Sequence, residues 1–474
     1  MPATGLNQKR KFITSSRSTR RSPYTLRMQN SEPADLLIEA RWVLPVAPCA
    51  TALAHHAVAI ERGRIVSLGP ATELRARFAA REHIALAGHA LLPGFVNAHT
   101  RAEELLASGR GLAAREARAT GASVRGVADA PTRPWRIEAA SGADLARDGA
   151  QLAVAEMLRS GVTAFASRGA RPEEVAHVAS SARVRAAIGL PIEEGATEWA
   201  DGITGHLARA EALWDEYKAD PWVGLHFAPD CAHALSDAAL ARVRTIADEL
   251  DARIAMPVHE TGEEIERHGT RHGVRPLRRL DALGLLSPSF TALYLNRLDE
   301  AEMELLARKG VAASACPQAS LRRGIGCCAL AALIESGVPV GLGTGSPASR
   351  FALDVLAEAR AAALAASSQH RAPDALSAHG ALELATLGGA AALGLKAVVG
   401  SIEPGKAADL IALDLSTLAR CPEDDPAEAI VYGASRDRVT HVWINGTPRV
   451  ADGKLLAFDE AELVELARRW SGRL

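Results

Sequence analysis

Residues 91–101 read LLPGFVNAHTR, and at this stretch the residue pattern of the chain changes. Upstream, from residue 35, short strand-like runs alternate with turns, and Glu61-Arg62-Gly63 is typical of a hairpin. Downstream, apolar runs alternate with segments whose apolar residues recur every three or four positions, as they do in helices. The sequence therefore predicts a small antiparallel sheet followed by a larger α/β domain.

Eight apolar runs, each followed by a helix-like segment, predict a (β/α)8 TIM barrel over residues 92–398. The runs are residues 92–99, 162–167, 184–190, 222–229, 253–260, 290–296, 311–317 and 339–345. A doubly wound α/β sheet is the alternative architecture. That fold usually has a glycine-rich turn after its first strand, where this sequence has Asn97-Ala98-His99-Thr100.

The end of the chain returns to a strand-like pattern. From residue 399 there are two further strand-like runs, a tight turn at Asn445-Gly446 and an amphipathic helix over about residues 459–470. We expect residues 31–91 and 399–474 to form one small β-sandwich domain, built from both chain ends and lying beside the barrel.

The composition predicts a protein with a large core and no membrane segment. Hydrophobic residues make up 48% of the 474 residues and aromatic residues only 4%, so Ala, Leu and Val must form most of the core. No apolar run reaches the length of about 18 residues that a membrane span requires. The six cysteines form no CxxC pair, which favours reduced thiols and a cytoplasmic protein.

The charge is distributed unevenly along the chain. Residues 1–30 contain seven Lys or Arg and no acid, so the remaining residues carry −9 although the whole chain carries −2. We expect residues 1–30 to be a disordered basic extension, and Met28 leaves open whether residues 1–27 belong to the protein. The acidic remainder argues against nucleic acid as a partner.

Several segments resemble the amidohydrolase superfamily. Residues 93–101 are similar to its strand-one signature, P-G-x-[VI]-[ND]-x-H-x-H. The segments AQLAVAEMLRSGVT (150–163), GVRPLRRLDALGLL (273–286) and VGSIEPGKAADLIAL (399–413) resemble its second helix, its fifth helix and its returning sheet strand. Together they resemble the branch that contains the methylthioadenosine/adenosylhomocysteine deaminases and the chlorotriazine (TRZ/ATZ) hydrolases.

The resemblance implies hydrolysis of C–N bonds other than peptide bonds by one divalent ion, usually zinc, which lowers the pKa of a bound water. In the family two His of strand one, a His of strand five and an Asp of strand eight hold the metal. A Glu after strand five and a His after strand six move protons. Only His99, a ligand, and Glu260, the catalytic carboxylate, match this pattern here. The remaining positions are degenerate and contain Arg101, Pro257, Tyr294 and Gly345.

A rebuilt metal site is one alternative. His259 lies two residues after Pro257, which predicts that both side chains project from the same face of the strand. His259 is therefore a possible substitute ligand beside His99, with Asp230 and either Cys231 or His233. Arg101 cannot contribute, because a guanidinium has no lone pair to donate. A lone His99 could instead satisfy backbone groups, and Glu260 could be a helix N-terminal acid.

The predicted strand ends also contain several arginines. Arg101, Arg297, Arg322 and Arg323 lie at or just after strand ends, near the glycine-rich turn 341–346. Barrels often bind phosphate after strands seven and eight, so the pattern predicts an anionic ligand. Asp230 and Arg297 are the candidate substrate-binding residues.

Our main prediction is a non-catalytic family member with no metal, which binds a small purine-like or anionic molecule or a protein partner. We expect a homo-oligomer or an assembly with an active relative. The alternative is an active hydrolase or deaminase that retains zinc or another divalent metal at an altered site. A structural subunit without any ligand is the third possibility.

Overall fold

A computed structural model describes residues 31–107, 139–347, 352–416 and 425–473. The expected basic extension, residues 1–30, and the question of a start at Met28 lie outside these residues. No helix within the described ranges is both long and apolar enough to cross a bilayer. Five of the cysteines fall in these ranges, and all five are unpaired thiols.

The described part of the chain begins with four strands of a mixed sheet. They are β1 (Glu32–Val43), β2 (Leu53–Glu61), β3 (Arg64–Pro70) and β4 (Phe78–Pro93), with the helix Ala71–Arg77 before β4. The predicted hairpin joins β2 to β3, and Arg62 and Gly63 turn the chain with positive φ angles of 50° and 74°. The sheet is not wholly antiparallel, because β4 returns beside β1 in the parallel direction.

The predicted (β/α)8 barrel is confirmed. Its eight parallel strands are β5 (Phe95–Thr100), β6 (Val162–Arg168), β7 (Arg185–Ile192), β8 (Val223–Pro229), β9 (Arg253–Val258), β10 (Phe290–Tyr294), β11 (Ala312–Ala315) and β12 (Val340–Leu342). They pair in chain order, and a bridge between Thr100 and Gly345 brings the last strand to the first. The Asn97 amide and Thr344 reinforce this closure with hydrogen bonds of 2.9 and 3.1 Å.

Six of the eight barrel strands are shorter than the apolar runs that predicted them, whereas β6 and β7 are each one residue longer. The first begins at Phe95 rather than at residue 92, because Leu92 and Pro93 still pair with the returning strand of the sheet. The fifth and sixth end at Val258 and Tyr294, where the backbone adopts the left-handed conformation at His259 (φ 56°) and at Tyr294 itself (φ 74°). A left-handed residue interrupts the alternation of side chains that an extended strand imposes.

Helices surround the barrel and connect its strands. In chain order they are Ala139–Arg159, Pro172–Ala182, Gly202–Tyr217, Asp237–Glu249, Gly262–His272, Pro276–Ala282, Glu300–Lys309, Pro317–Arg323, Leu330–Glu335, Val355–His370, Ala378–Glu383 and Gly389–Ala392. The sequence marks several of their ends. Asp299 and Glu302 form a reciprocal capping box at the start of Glu300–Lys309, and Gly310 ends that helix with φ 67°.

The two chain ends build one eight-stranded sheet. After the barrel come β13 (Leu410–Asp414), β14 (Val439–Ile444), β15 (Thr447–Ala451) and β16 (Lys454–Leu455), the helix Pro426–Glu428 and the final helix Glu460–Arg473. The strand order is β16-β15-β14-β13-β4-β1-β2-β3, so β13 and β4 are the junction between the two halves. The prediction that both ends share one sheet domain is confirmed.

A buried ion pair ties this sheet to the barrel. Arg185, the first residue of β7, donates to the carboxylate of Asp409 over 2.7 Å, and Asp409 also accepts the backbone N–H of Asn445. The side chain of Asp409 is only 1% exposed. The pair therefore fixes the position of the sheet relative to the amino ends of the barrel strands.

Candidate ligand site at the barrel mouth

The carboxyl ends of the barrel strands bring the predicted site residues to one face, the barrel mouth. This is where (β/α)8 barrels place their functional groups. The residues that follow or end these strands are His99, Arg101, Arg168, Asp230, Glu260, Tyr294, Arg297 and Gly345.

His99 is a buried, neutral imidazole in the wall of the mouth. Its ring meets the ring of Tyr294 edge to face, with centroids 5.6 Å apart. Burial lowers the pKa of His99 well below its ordinary value, and the positive charges of Arg168 and Arg101 lower it further. The ring therefore keeps a lone pair available, but its nearest charged neighbours are cations.

Arg101, where the resemblance predicts the second ligand of strand one, is a fixed cation. Its Nη1 donates to Oε1 of Glu104 over 2.8 Å, and the other oxygen of Glu104 accepts the hydroxyl of Ser346 over 2.7 Å. The charge of Glu104 raises the pKa of Arg101 above its ordinary value. The guanidinium is therefore held in place, protonated and without a lone pair for a metal.

Tyr294 and Gly345, which stand where the resemblance predicts a His and an Asp, lie close together. Gly345 adopts φ 68°, and a Cβ atom at this position would lie 3.7 Å from the Tyr294 hydroxyl and 3.3 Å from the Cβ of Ala319. Burial raises the pKa of the Tyr294 phenol well above its ordinary value. The phenol is therefore a neutral group, and it fills space into which a side chain at residue 345 would otherwise extend.

His259 does not follow the predicted alternation. Pro257 and Val258 end β9, and the positive φ of His259 turns its ring against Glu302, with Nδ1 3.5 Å from Oε2. The ring is fully buried there, and burial lowers the pKa of His259 to about 4. The inference that His259 shares a face with Pro257, on which its role as a substitute ligand rested, is therefore wrong, because the strand has already ended.

Glu260, the expected catalytic carboxylate, forms a close ion pair with Arg323 at the mouth. It is not a first-turn acid of the next helix, because Thr261 caps that helix and Glu263 and Glu264 form its first turn. The backbone of Glu260 is also held, since its N–H donates to Glu264 over 2.8 Å. Its carboxylate is therefore positioned by a cation rather than by a helix dipole.

Arg168 is the functional candidate that the sequence interpretation missed. It is the last residue of β6, and its side chain is 9% exposed. Its Nη2 donates to the carbonyl oxygens of Pro229 and Asp230 over 2.9 and 3.3 Å, and it lies 3.6 Å from Oδ1 of Asp230. Its place at the end of the run 162–167 was the signal that could have identified it.

The predicted anion site is not assembled as expected. Arg101 and Arg323 are already paired with carboxylates, and the guanidinium of Arg297 packs against Gly326. The amides of the glycine-rich turn are also engaged. Those of residues 343, 344 and 345 donate to Ala315, Asn97 and His99, because this turn closes the barrel. Neither the arginine pairs nor these three amides present an uncompensated positive group to an anion.

The mouth does not fit a divalent ion. Of the four family ligand positions, only His99 has a donor atom, because Arg101, Pro257 and Gly345 have none. Cys231 lies 3.6 Å from Asp230 and 3.8 Å from His233, the residues proposed for a rebuilt site. Nevertheless, across the described ranges no three His, Cys, Asp or Glu side chains are grouped so as to hold a metal ion.

The strand order defines a (β/α)8-barrel protein whose candidate site lies at the carboxyl ends of the barrel strands. The amidohydrolase family model matches residues 90–449, from the end of β4 into β15. The chain therefore belongs to the amidohydrolase family.

Its similar proteins include named deaminases. A 5-methylthioadenosine/S-adenosylhomocysteine deaminase from Teredinibacter turnerae is 36% identical, over 94% of this chain and 99% of that protein. The protein of the same name from Saccharophagus degradans is 34% identical, over 94% and 98%. A zinc-bound adenosine deaminase from Xanthomonas campestris is 37% identical, with a TM-score of 0.86 over 94% of this chain and 99% of that one. Atrazine chlorohydrolase from Arthrobacter aurescens, at 22% identity over 92% and 99% of the chains, shares the fold with a TM-score of 0.80.

Proposed function

We propose that this amidohydrolase-family protein binds a small purine-like molecule at the barrel mouth and does not carry out metal-dependent deamination. The observation that carries the proposal is the position of Arg101. A protonated guanidinium, ion-paired with Glu104, stands where the family has a metal-binding imidazole beside His99. A fixed cation can stabilise negative charge, but it cannot convert water to hydroxide as a bound metal does.

The loss of metal would remove most of the catalytic power. Glu260 would then have to activate water alone, and general-base assistance contributes about 10²–10⁴-fold. Enzymes typically accelerate their reactions by about 10⁶-fold or more. Binding of a ligand survives this loss, because it needs the shape and polar groups of the mouth rather than a nucleophile.

The ligand class follows from the relatives and from two polar groups at the mouth. The most similar proteins named above are deaminases of adenosine-type nucleosides. Asp230 is half exposed beside Arg168 and can accept hydrogen bonds from ligand hydroxyls or amines. Arg297 is exposed after β10 and can donate to a ligand acceptor. We therefore propose Asp230 and Arg297 as ligand-binding residues and Glu260 as a positioning carboxylate.

A second candidate function is an active deaminase or hydrolase with an altered metal site. The high identity to named deaminases over 94% of the chain favours it, as does Glu260 at the position of the proton-moving carboxylate. This function requires zinc or another divalent ion bound through His99 and groups that would have to rearrange.

Elemental analysis separates the two functions. The full chain is expressed with added zinc, purified without chelator, and assayed by ultraviolet absorbance with adenosine, 5-methylthioadenosine and S-adenosylhomocysteine. We expect far less than one zinc per chain and no turnover. A content near one zinc per chain, with turnover that a chelator removes, would establish the second function instead.

Calorimetry with the same three nucleosides tests ligand binding. We expect binding that weakens about tenfold or more in Asp230→Asn and in Arg297→Met, which is the scale of one lost hydrogen bond to a charged group. Arg308→Met, on the exposed side of the helix Glu300–Lys309, is the control and should bind as the wild type does. If none of the nucleosides binds at millimolar concentration, the ligand assignment is wrong even when the metal result stands.

We also infer a cytoplasmic homo-oligomer. Five unpaired thiols support a reducing compartment.

Leu321 and Leu364 support self-association, since these large apolar side chains are more than half exposed on neighbouring helices after β11 and β12. Light scattering should give a mass of at least two chains, and Leu364→Glu should reduce it. A wild-type monomer would contradict the inference.

A further inference from the structure

A cavity lies at the amino ends of the barrel strands, the end opposite the mouth. Its volume is about 260 Å³, and at its entrance it is lined by Arg185, Val223 and Arg253, the first residues of β7, β8 and β9. It extends up the inside of the barrel as far as Ala98 and Ala166. It is therefore an axial cavity that opens at the amino ends of the strands.

Small side chains inside the barrel create this space. Bulky branched residues usually fill the interior of a (β/α)8 barrel. Here the interior wall of the cavity consists of Ala98, Ala166, Ala187, Gly224 and Ala255. The helix Gly389–Ala392 covers only one side of the barrel floor, where the Cα of Gly389 would lie 2.6 Å from a Cβ at Gly341 of β12. The floor beneath β7, β8 and β9 stays open.

Arg253 brings an uncompensated positive charge to this cavity. One of its N–H groups donates to the hydroxyl of Thr291 over 3.1 Å, and no carboxylate of the described residues lies within ion-pair distance of it. Burial alone lowers the pKa of Arg253.

The other charged groups of the lining are already satisfied. Arg185 pairs with Asp409, and Asp220 accepts the backbone N–H groups of residues 222 and 223 and the hydroxyl of Ser180.

His226 brings a second unsatisfied group. It is 7% exposed, it lines the cavity from β8, and its ring makes no hydrogen bond to any residue in the described part of the chain. Buried polar groups in folded proteins nearly always have a partner. Burial and the nearby charge of Arg253 lower the pKa of His226 to about 3, so the ring is neutral and has one N–H to donate.

We propose that this cavity is a binding site for a small organic carboxylate. The carboxylate accepts from the free N–H groups of Arg253 and from the neutral ring of His226, since guanidinium donors match carboxylate oxygens. The apolar part of the ligand contacts the alanines and Trp222. At about 30 Å³ for each non-hydrogen atom, the volume of a liquid water, the cavity holds about nine such atoms. The proposal does not rest on the ligand proposed at the mouth, because Arg253, the first residue of β9, lies at the amino ends of the strands. His226 lies deeper in the barrel, where the charge of Arg168 also acts on its ring.

Benzoate and benzamide test the proposal, because both have about the right size and only benzoate is charged. Calorimetry on the full chain should show benzoate binding at millimolar concentration or better, and benzamide binding at least about tenfold more weakly. Arg253→Met keeps the apolar stem and should weaken benzoate binding about tenfold or more. Arg278→Met, an exposed arginine on the helix Pro276–Ala282, should leave it unchanged. Equal affinity for benzoate and benzamide, or for wild type and Arg253→Met, would overturn the proposal.

Ala187→Leu gives a second measurement that leaves Arg253 in place. The larger side chain fills the cavity from β7, so benzoate binding should be lost while thermal unfolding stays cooperative. Inorganic phosphate should bind more weakly than benzoate, because it cannot use the apolar wall. Unchanged benzoate binding in a folded Ala187→Leu variant, or tighter binding of phosphate than of benzoate, would show that the cavity is not a carboxylate site.

Discussion

The hydroxyl oxygen of Tyr294 lies 3.7 Å from the point at which Gly345 would carry a Cβ atom. The two residues come from β10 and from the turn after β12, which are 51 residues apart in the sequence. A side chain longer than Cβ at residue 345 would extend into space that Tyr294, Ala319 and Cys316 already enclose. Tyr294 and Gly345 are therefore neighbours, and we expect substitutions at the two positions to be coupled through packing.

Gly345→Asp should lower the free energy of unfolding by about 1–3 kcal/mol, through overpacking and a positive φ. The double variant Gly345→Asp/Tyr294→Ala should lose less free energy of unfolding than the two single variants lose together, because the phenol is then absent. Urea unfolding of the four proteins measures this coupling, which neighbouring residues usually show at about 0.5–3 kcal/mol. Gly273→Asp is the control for the backbone effect alone, since Gly273 has φ 73° and nothing within 4 Å of its Cβ position. Strict additivity would show that Tyr294 and Gly345 are not coupled.

Restoring all four degenerate positions should restore metal binding. We expect a variant with R101H, P257H, Y294H and G345D to bind about one zinc per chain, because three new donors then join His99 at the strand ends. Elemental analysis after dialysis gives the stoichiometry. Adding H99A to this variant should reduce the zinc content, which shows that the metal sits at the mouth. A folded variant without zinc would mean that the strand ends no longer have the family geometry.

Removing the buried carboxylate of Asp409 should destabilise the whole protein. Asp409→Leu leaves Arg185 buried without a counter-charge, which usually costs about 3–5 kcal/mol. The double variant Arg185→Met/Asp409→Leu should recover most of that loss. Glu32→Gln, which removes the exposed pair with Arg77, should change little, because water screens it. Equal unfolding midpoints for Asp409→Leu and Glu32→Gln would contradict the proposed role of the buried pair.

Glu358 should make stability depend on pH. It is fully buried, one of its carboxylate oxygens has no partner among the described residues, and burial raises its pKa from 4.5 to about 8. The folded state therefore keeps a proton that the unfolded state releases above pH 4.5. This contribution to stability is complete below pH 4.5 and is lost as the pH rises to about 8.

The measurement compares wild type with Glu358→Gln, whose side chain does not ionise. The stability of wild type relative to this variant should fall between pH 5 and pH 8, by up to about 1.4 kcal/mol per pH unit. Unfolding curves across that range give the difference directly. Glu304→Gln, on an exposed helix face, is the control, and its free energy of unfolding should change with pH as that of wild type does. A constant difference between wild type and Glu358→Gln would show that Glu358 is ionised in the folded protein.

The barrel and the shared sheet were predictable because both depend on patterns that repeat along the chain. Eight runs of buried residues with helix-like segments between them specify eight parallel strands, and the returning strand resembles a family segment. The parallel pairing of β4 with β1 was not predictable, because either direction buries the same alternating residues. The bounds of β9 and β10 were also missed, since an apolar run does not reveal where φ becomes positive.

At the mouth, the sequence by itself determined which atoms are present. Arg101, Pro257 and Gly345 lack metal-donor atoms in any conformation, so the prediction of degenerate ligand positions rests on residue identities alone. Only the tertiary structure decided where the remaining groups point. In the folded chain His259 faces Glu302, and Arg168 lies beside Asp230. The amides of residues 343–345 form the hydrogen bonds that close the barrel. The physical reason is that residue type is local, whereas side-chain direction and hydrogen-bond partners depend on backbone angles and on segments distant in sequence.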